Sequence, residues 1–165
     1  ILLELVAPRL VRRAGEPVAL RLAPAAWQVL TRPGRELRDP TLWVEDPLAL
    51  TTVAIGDAVY ARGAVIGEWT RTPRGGSSAA IVSPADARRL DELAEALASP
   101  RALGDAQAFT PNVELTVTVS QPGGPDVVRA LALGRKTGGA CPVRIGDERL
   151  LLDATVCAAA QSLAR

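Results

Sequence analysis

The chain has no histidine and no methionine, and among its 165 residues it has one lysine, one tyrosine and one phenylalanine. Histidine is the usual general base near neutral pH and the commonest metal ligand in proteins. Its absence excludes hydrolysis by a Ser-His-Asp arrangement, and the Gly-x-Ser-x-Gly sequence that presents such a serine is also missing. We therefore expect a protein that is not an enzyme.

The chain also lacks an excess of charge of either sign, because 19 lysines and arginines oppose 18 aspartates and glutamates. Proteins that bind nucleic acid normally have a basic excess and aromatic side chains on which bases stack. Seven arginines fall in the first forty residues, but Trp27 is the one aromatic residue among them, so we expect no nucleic-acid partner. No apolar run reaches the ~20 residues of a membrane-spanning helix, and we expect no direct membrane insertion by this chain.

Two motifs that often carry chemistry are present only in weak form. Acidic residues pair as Asp46 with Asp57 and as Asp147 with Glu148. Both pairs fall at predicted turns, where acids are common, and no loop has calcium-ligand spacing. Residues 134–138 (Gly-Arg-Lys-Thr-Gly) resemble a phosphate-binding loop, but arginine precedes the lysine where that motif has glycine. Strand-like residues follow, so we predict a hairpin turn.

Cys141 and Cys157 are the two cysteines, too few for a disulfide framework or a zinc site. One lies at the start of a predicted strand, and the other follows the next strand. They are either two buried, inert thiols or, in an oxidising compartment, a disulfide pair. We expect no metal site and no cofactor.

Residues 84–99 have the clearest helical pattern in the chain. Ser83 is a candidate N-cap, Pro84 fits the first turn, and Asp86 occupies the acidic position of a capping box. Pro100 ends the helix. The apolar residues that recur at helical spacing are Leu90, Leu93, Ala94 and Leu97. This stripe predicts an amphipathic helix that packs on a sheet.

Strand patterns flank this helix on both sides. Residues 53–62 alternate around a Gly-Asp turn, and residues 113–119 alternate strictly between apolar and polar, which indicates a sheet with one solvated face. Further turns lead to Asp153, which can cap a short C-terminal helix over 155–163. We predict an α+β fold with two antiparallel, strand-rich meander units, the main helix at about 84–99 and the short C-terminal helix.

A weak internal similarity, which we call the sequence echo, suggests duplication. Residues 10–15 (Leu-Val-Arg-Arg-Ala-Gly) resemble residues 133–138 (Leu-Gly-Arg-Lys-Thr-Gly). Around the first run we predict a strand over 27–30 and a turn of helix over 33–37. We expect residues 1–165 to form a single compact unit. Its predicted sub-units are a strand-rich half-repeat (1–40), a meander plus helix (41–105) and a strand-rich end-module (106–165). Chance is the alternative explanation of the echo.

Several motifs resemble one known bacterial family. Arg38-Asp39 precedes a predicted strand, Gly67-Glu68-Trp69 forms a tryptophan-containing strand, and Pro84-Ala85-Asp86 opens the leucine-striped helix. The runs 131–134, 143–144 and 150–153 are similar to closing hairpins. Together these motifs resemble the family catalogued as domain of unknown function 4340, and the resemblance spans nearly the whole chain.

The resemblance implies a location rather than an activity. Members of that family tend to be extracytoplasmic, often behind an N-terminal membrane anchor, and some are encoded beside ABC-transporter components of the gliding-motility type. The family has no established catalytic residues. We therefore expect an extracytoplasmic, periplasmic protein, with any anchor upstream of Ile1.

Three tryptophans stand out as candidate functional residues. They are either core or sheet-edge anchors, or exposed hot spots for a partner. The candidate interaction surface consists of Trp27, Trp43, Trp69 and Arg71. We predict a non-catalytic scaffold or protein-interaction module, an accessory of a bacterial envelope or transport assembly. The alternatives are a small-ligand-binding domain with a pocket between the two halves, lined by Trp69 and Arg71, and a hydrolase that uses acids alone.

Overall fold

The computed structural model describes residues 3–7, 10–13, 15, 17–24, 26 and 40–164. The chain divides into two compact units, Ile1–Asp39 and Pro40–Arg165. The described part of the first unit contains a three-stranded antiparallel sheet of β1 (Leu3–Ala7), β2 (Leu10–Arg13) and β3 (Ala19–Arg21). Trp27, the strand predicted over 27–30 and the helical turn predicted over 33–37 lie outside the described residues.

The second unit is built on one nine-stranded sheet in which all neighbouring strands are antiparallel. Its order is β7-β6-β5-β4-β9-β10-β11-β12-β8. The strands are β4 (Leu50–Ile55), β5 (Ala58–Arg62), β6 (Trp69–Pro73), β7 (Ala80–Ile81), β8 (Gly104–Asp105), β9 (Val113–Val119), β10 (Val127–Leu133), β11 (Ala140–Ile145) and β12 (Glu148–Asp153). Two meanders, β4–β7 and β9–β12, therefore form halves of the same sheet, and they join where β4 pairs with β9.

Two helices cover one face of this sheet. They are α1 (Pro84–Ala98) and α2 (Ala154–Leu163). The side chain of Ser83 accepts a hydrogen bond from the Asp86 backbone N–H, and Asp153 caps α2 in the same way. The N-terminus of α1 shares a cleft with the C-terminus of α2, so the helices run antiparallel. This architecture confirms the predicted α+β fold, with α1 one residue shorter than expected and α2 one residue longer.

The core lies between the helices and the helix-facing side of the sheet. Alternate residues of β9 are buried, as its period-two pattern predicts: Val113, Leu115, Val117 and Val119. On the helix side, the predicted stripe of Leu90, Leu93, Ala94 and Leu97 is fully buried. A disulfide between Cys141 and Cys157 joins β11 to α2, and both sulfurs are inside this core. The pairing that the sequence left open is therefore present.

The segment that resembles a phosphate-binding loop is a connection between antiparallel strands, as predicted. It joins β10 to β11, and Gly138 has a φ of 60°, a conformation that favours glycine. Gly134 packs against the Phe109 ring so closely that an added Cβ would lie 2.7 Å from a ring carbon. The glycines of this segment therefore serve backbone geometry and packing.

The two runs of the sequence echo belong to different sheets. Residues 10–13 are β2 of the three-stranded sheet, whereas Leu133 ends β10 of the nine-stranded sheet. Within the second unit the order of elements itself repeats, because four strands followed by a helix occur twice, as β4–β7 with α1 and as β9–β12 with α2. The predicted division into sub-units remains a prediction. In the described part of the chain, no helix has the length and apolar character needed to cross a bilayer.

Candidate functional site

Trp69 lies inside the core and anchors a polar cluster. Its side chain is fully buried, and its indole Nε1 donates to Asp91 Oδ1 of α1 at 3.0 Å. Arg62 Nη1 forms an ion pair with the same oxygen at 2.9 Å, and its guanidinium stacks 4.4 Å from the Trp69 ring centre. Arg62 also donates to two backbone carbonyls beside the 3-10 turn Pro47–Ala49. These contacts tie β5, β6 and α1 together.

Trp43 has a similar structural role at the other end of α1. Its Nε1 donates to the Leu97 carbonyl at 2.7 Å, and the Arg129 guanidinium lies 4.5 Å from its ring centre. Arg129 forms an ion pair with Glu45 at 2.6 Å, and Gln121 also donates to Glu45. This cluster fixes residues 40–46 against α1 and the sheet.

The three described residues of the predicted interaction surface, Trp43, Trp69 and Arg71, have different surroundings. Trp69 has no exposed area, so it cannot contact a partner as predicted, because Asp91 and Arg62 hold it against the core. Trp43 is half-buried, and its polar atom is already used by α1. Arg71 is exposed on β6, where its Nη2 lies 3.4 Å from Asp57 Oδ1. Trp27 lies outside the described residues. Of the two interpretations of the tryptophans, Trp43 and Trp69 therefore fit that of structural anchors.

Arg71 borders a cleft of about 510 Å³ that contains residues from both halves of the sheet unit. The N-terminus of α1 contributes Ser83 and Asp86, and the C-terminus of α2 contributes Ser162. Below them, the Tyr60 hydroxyl donates to the Leu163 carbonyl at 3.2 Å. Of the two residues predicted to line a ligand pocket, Arg71 lines this cleft and Trp69 does not.

A second cleft, of about 540 Å³, lies between the C-terminal half of α1 and the start of α2. Asp153 is on its rim, where it accepts hydrogen bonds from the hydroxyl and the backbone N–H of Thr155 at 2.5 and 2.8 Å. These two bonds hold the pKa of Asp153 below its usual value, with a smaller contribution from Lys136 and a weak opposing effect of burial. Asp153 therefore acts as the N-cap of α2.

The face of the nine-stranded sheet opposite the helices carries two continuous rows of uncharged side chains. We call this surface the open face. The first row runs across six strands: Ile81, Thr70, Ala61, Thr52, Thr118 and Val128. The second row runs across five: Thr72, Val59, Ala54, Thr116 and Ala130. All of these side chains are half-buried or exposed, and in the central strands β4, β5 and β9 the residues that alternate with them include buried core residues.

The open face was missed by sequence reasoning, although part of its signal was visible. The alternation of Val117 with Thr116 and Thr118 predicted one solvated face for β9. The extent of the uncharged rows depends on strand order, because Thr52 and Thr118 become neighbours only when β4 pairs with β9. Local sequence patterns do not specify that long-range pairing.

Comparisons with known proteins give no match: no family model, no curated protein and no solved structure is similar to this chain. The resemblance seen around Arg38-Asp39, Gly67-Glu68-Trp69 and Pro84-Ala85-Asp86 therefore remains a prediction, as does the extracytoplasmic location that it implies. What can be inferred about function rests on the geometry of the second unit.

Proposed function

We propose that the protein is a non-catalytic scaffold or protein-interaction module and that the open face is its contact surface. The observation that carries the proposal is the uncharged first row, which continues without interruption from Ile81 to Val128. Protein surfaces ordinarily intersperse charges of both signs, whereas the centres of protein interfaces are depleted of charge. At the usual strand spacing the first row extends over about 24 Å, a width suited to a protein partner.

The open face is a rigid platform, which favours binding. Its strands are backed by the buried core, and α2 is linked covalently to β11 through Cys141 and Cys157. A preformed surface loses little conformational freedom when it binds, so more of the contact energy is available for affinity.

We further propose that the protein works outside the cytoplasm, as an accessory of a bacterial envelope or transport assembly. The buried Cys141–Cys157 disulfide supports this location, because structural disulfides form and persist mainly in oxidising compartments. The resemblance to the family catalogued as domain of unknown function 4340 supports the type of assembly.

Site-specific photo-crosslinking tests the contact surface. A photoreactive amino acid replaces Thr118, in the middle of the open face, or Arg88, exposed on α1 as the matched control. In cells that naturally make the protein, we expect the Thr118 position to give a discrete protein adduct and the Arg88 position to give none. Adducts from Arg88 alone, or from neither position, would contradict the proposal.

The cleft beside Arg71 favours a second candidate function, the binding of a small anionic ligand between the two halves. Arg71 has 43 % of its side chain exposed, and its ion pair with Asp57 is long at 3.4 Å, so the guanidinium can reach a ligand. Thermal unfolding with a panel of small carboxylates and phosphates tests it. A rise in the melting temperature that disappears in Arg71→Ala supports this function, and no rise with any compound refutes it.

A further inference from the structure

At one end of the open face, a third row that contains charged side chains follows the two uncharged rows. This row runs from β9 to β12 and consists of Glu114, Ala132, Arg144 and Arg149. The three charged side chains of this row are exposed, whereas the short side chain of Ala132 is buried between them. The open face is therefore neutral across β7 to β4 and carries a net positive charge over β11 and β12.

Arg144 and Arg149 are placed directly opposite each other on neighbouring antiparallel strands. Like charges in this position repel, so the pair is unfavourable unless a carboxylate lies between the two guanidinium groups. Among the described residues neither arginine forms an ion pair. The guanidinium groups thus remain available to a carboxylate from outside the chain, which each can bind through two parallel hydrogen bonds.

A shallow hollow of about 270 Å³ is lined by Arg144 of this pair. Ala130 and Ala132 lie between the flanking residues Thr116, Glu114 and Arg144. Because alanine leaves space above the sheet, the hollow can receive a side chain from a partner. The hollow connects the uncharged rows with the arginine pair, so a single bound segment can contact both.

A second copy of this chain is a poor match for the same surface. In its third row the open face offers one carboxylate, Glu114, for two guanidinium groups. Two copies packed face to face would leave one arginine in each copy without a carboxylate, and burying an unpaired charge is costly. The charge pattern instead fits a different molecule that supplies acidic groups.

We propose that the open face binds an acidic protein segment. Its carboxylates lie between Arg144 and Arg149, one side chain enters the hollow above Ala130 and Ala132, and its uncharged side chains lie along the two Thr/Ala/Val rows. This proposal rests on the interaction function proposed above and specifies the chemistry of the partner.

Selection of displayed random peptides on the immobilised chain tests this specificity. We expect the selected peptides to be enriched in aspartate and glutamate. Their affinity should fall by about tenfold or more in the double variant Arg144→Glu/Arg149→Glu, because each reversed charge then repels the carboxylates. The matched control is Arg88→Glu/Arg101→Glu, which makes the same change in net charge at exposed arginines on the helix-facing side of the second unit, and it should leave the affinity unchanged.

The outcomes separate this inference from the general proposal. Selected peptides without acidic enrichment, or acidic peptides that bind equally to both double variants, would overturn the acidic-partner proposal. They would still agree with the proposal that the protein is an interaction module. Absence of any selected peptide would count against both. Concentration-dependent dimers that Thr118→Lys abolishes would assign the open face to a second copy and overturn the acidic-partner proposal.

Discussion

At the residue scale, the side chains that look suited to chemistry are used to hold elements together. Asp91 illustrates this, because its Oδ1 accepts hydrogen bonds from both Arg62 and the indole of Trp69. The Arg62 side chain is only 10 % exposed, and this carboxylate balances its buried positive charge. The acids, arginines and tryptophans of this cluster thus contribute to stability.

Removal of the Asp91 carboxylate should be distinctly destabilising. In Asp91→Ala the Arg62 guanidinium and the Trp69 N–H both lose an acceptor, and we expect the free energy of unfolding to fall by about 2–3 kcal/mol. Asp91 is itself 33 % exposed, which keeps the effect below that of a fully buried pair. Urea denaturation provides the measurement. The neighbouring variant Glu92→Ala, on the exposed face of α1, should change stability by less than about 0.5 kcal/mol; equal effects would refute the role of Asp91.

The cap of α2 should make a pH-dependent contribution. Because the folded state lowers the pKa of Asp153, its stabilisation is present above the usual carboxyl pKa and is lost as the pH falls through the lowered value. We expect Asp153→Ala to cost about 1 kcal/mol near neutral pH and progressively less in acid. Denaturation curves across this range test the expectation. Asp153→Asn keeps a capping oxygen and should retain most of the stability; a cost of Asp153→Ala that is independent of pH would contradict the assignment.

At the scale of elements, α2 is held by a covalent link as well as by packing. The disulfide joins it to β11 across 16 positions of sequence, and several of its residues are buried: Val156, Cys157, Ala159, Ala160 and Leu163. Because α2 is short and rich in alanine, it has little large apolar surface with which to dock. The cross-link therefore compensates for a small contact area.

Loss of this disulfide should be measurable as lost stability. For a closed loop of this size, we expect Cys141→Ala/Cys157→Ala to lower the free energy of unfolding by about 3 kcal/mol. A reducing agent should destabilise the natural protein by a similar amount and leave the double variant unaffected. Two free thiols in the denatured, unreduced protein would show that the cysteines are not paired, and they would remove the structural support for an oxidising compartment.

The elements themselves could largely be predicted because their signals are local. Ser83, Pro84 and the leucine stripe specify α1 within sixteen residues, and strict alternation specifies β9. Strand order could not be predicted, because it depends on which distant strands pair, such as β4 with β9 and β12 with β8. Burial of Trp69 as an anchor was one of the two interpretations, but its partner could not be predicted, because Asp91 lies on a separate element.

At the scale of the whole molecule, we propose that one face of the sheet provides stability and that the other face binds a partner. The helix-facing side contains the core and the disulfide, whereas the open face is exposed, uncharged over most of its width and basic at one end. The alternation in β9 predicted one solvated face, but the extent of the uncharged surface was not predictable from sequence. Thr52, Thr118 and Val128 look unremarkable along the chain and form a surface only when β4, β9 and β10 are adjacent.

The apparent molecular mass of the protein in native extracts of its own cells tests this claim most directly. Three forms are compared by size-exclusion chromatography: the natural protein, Thr118→Lys on the open face, and Arg88→Glu on α1 as control. We predict that the natural protein and Arg88→Glu elute together in a larger assembly, and that Thr118→Lys, with an unchanged circular dichroism spectrum, elutes as a single chain. Co-elution of all three forms would contradict the claim.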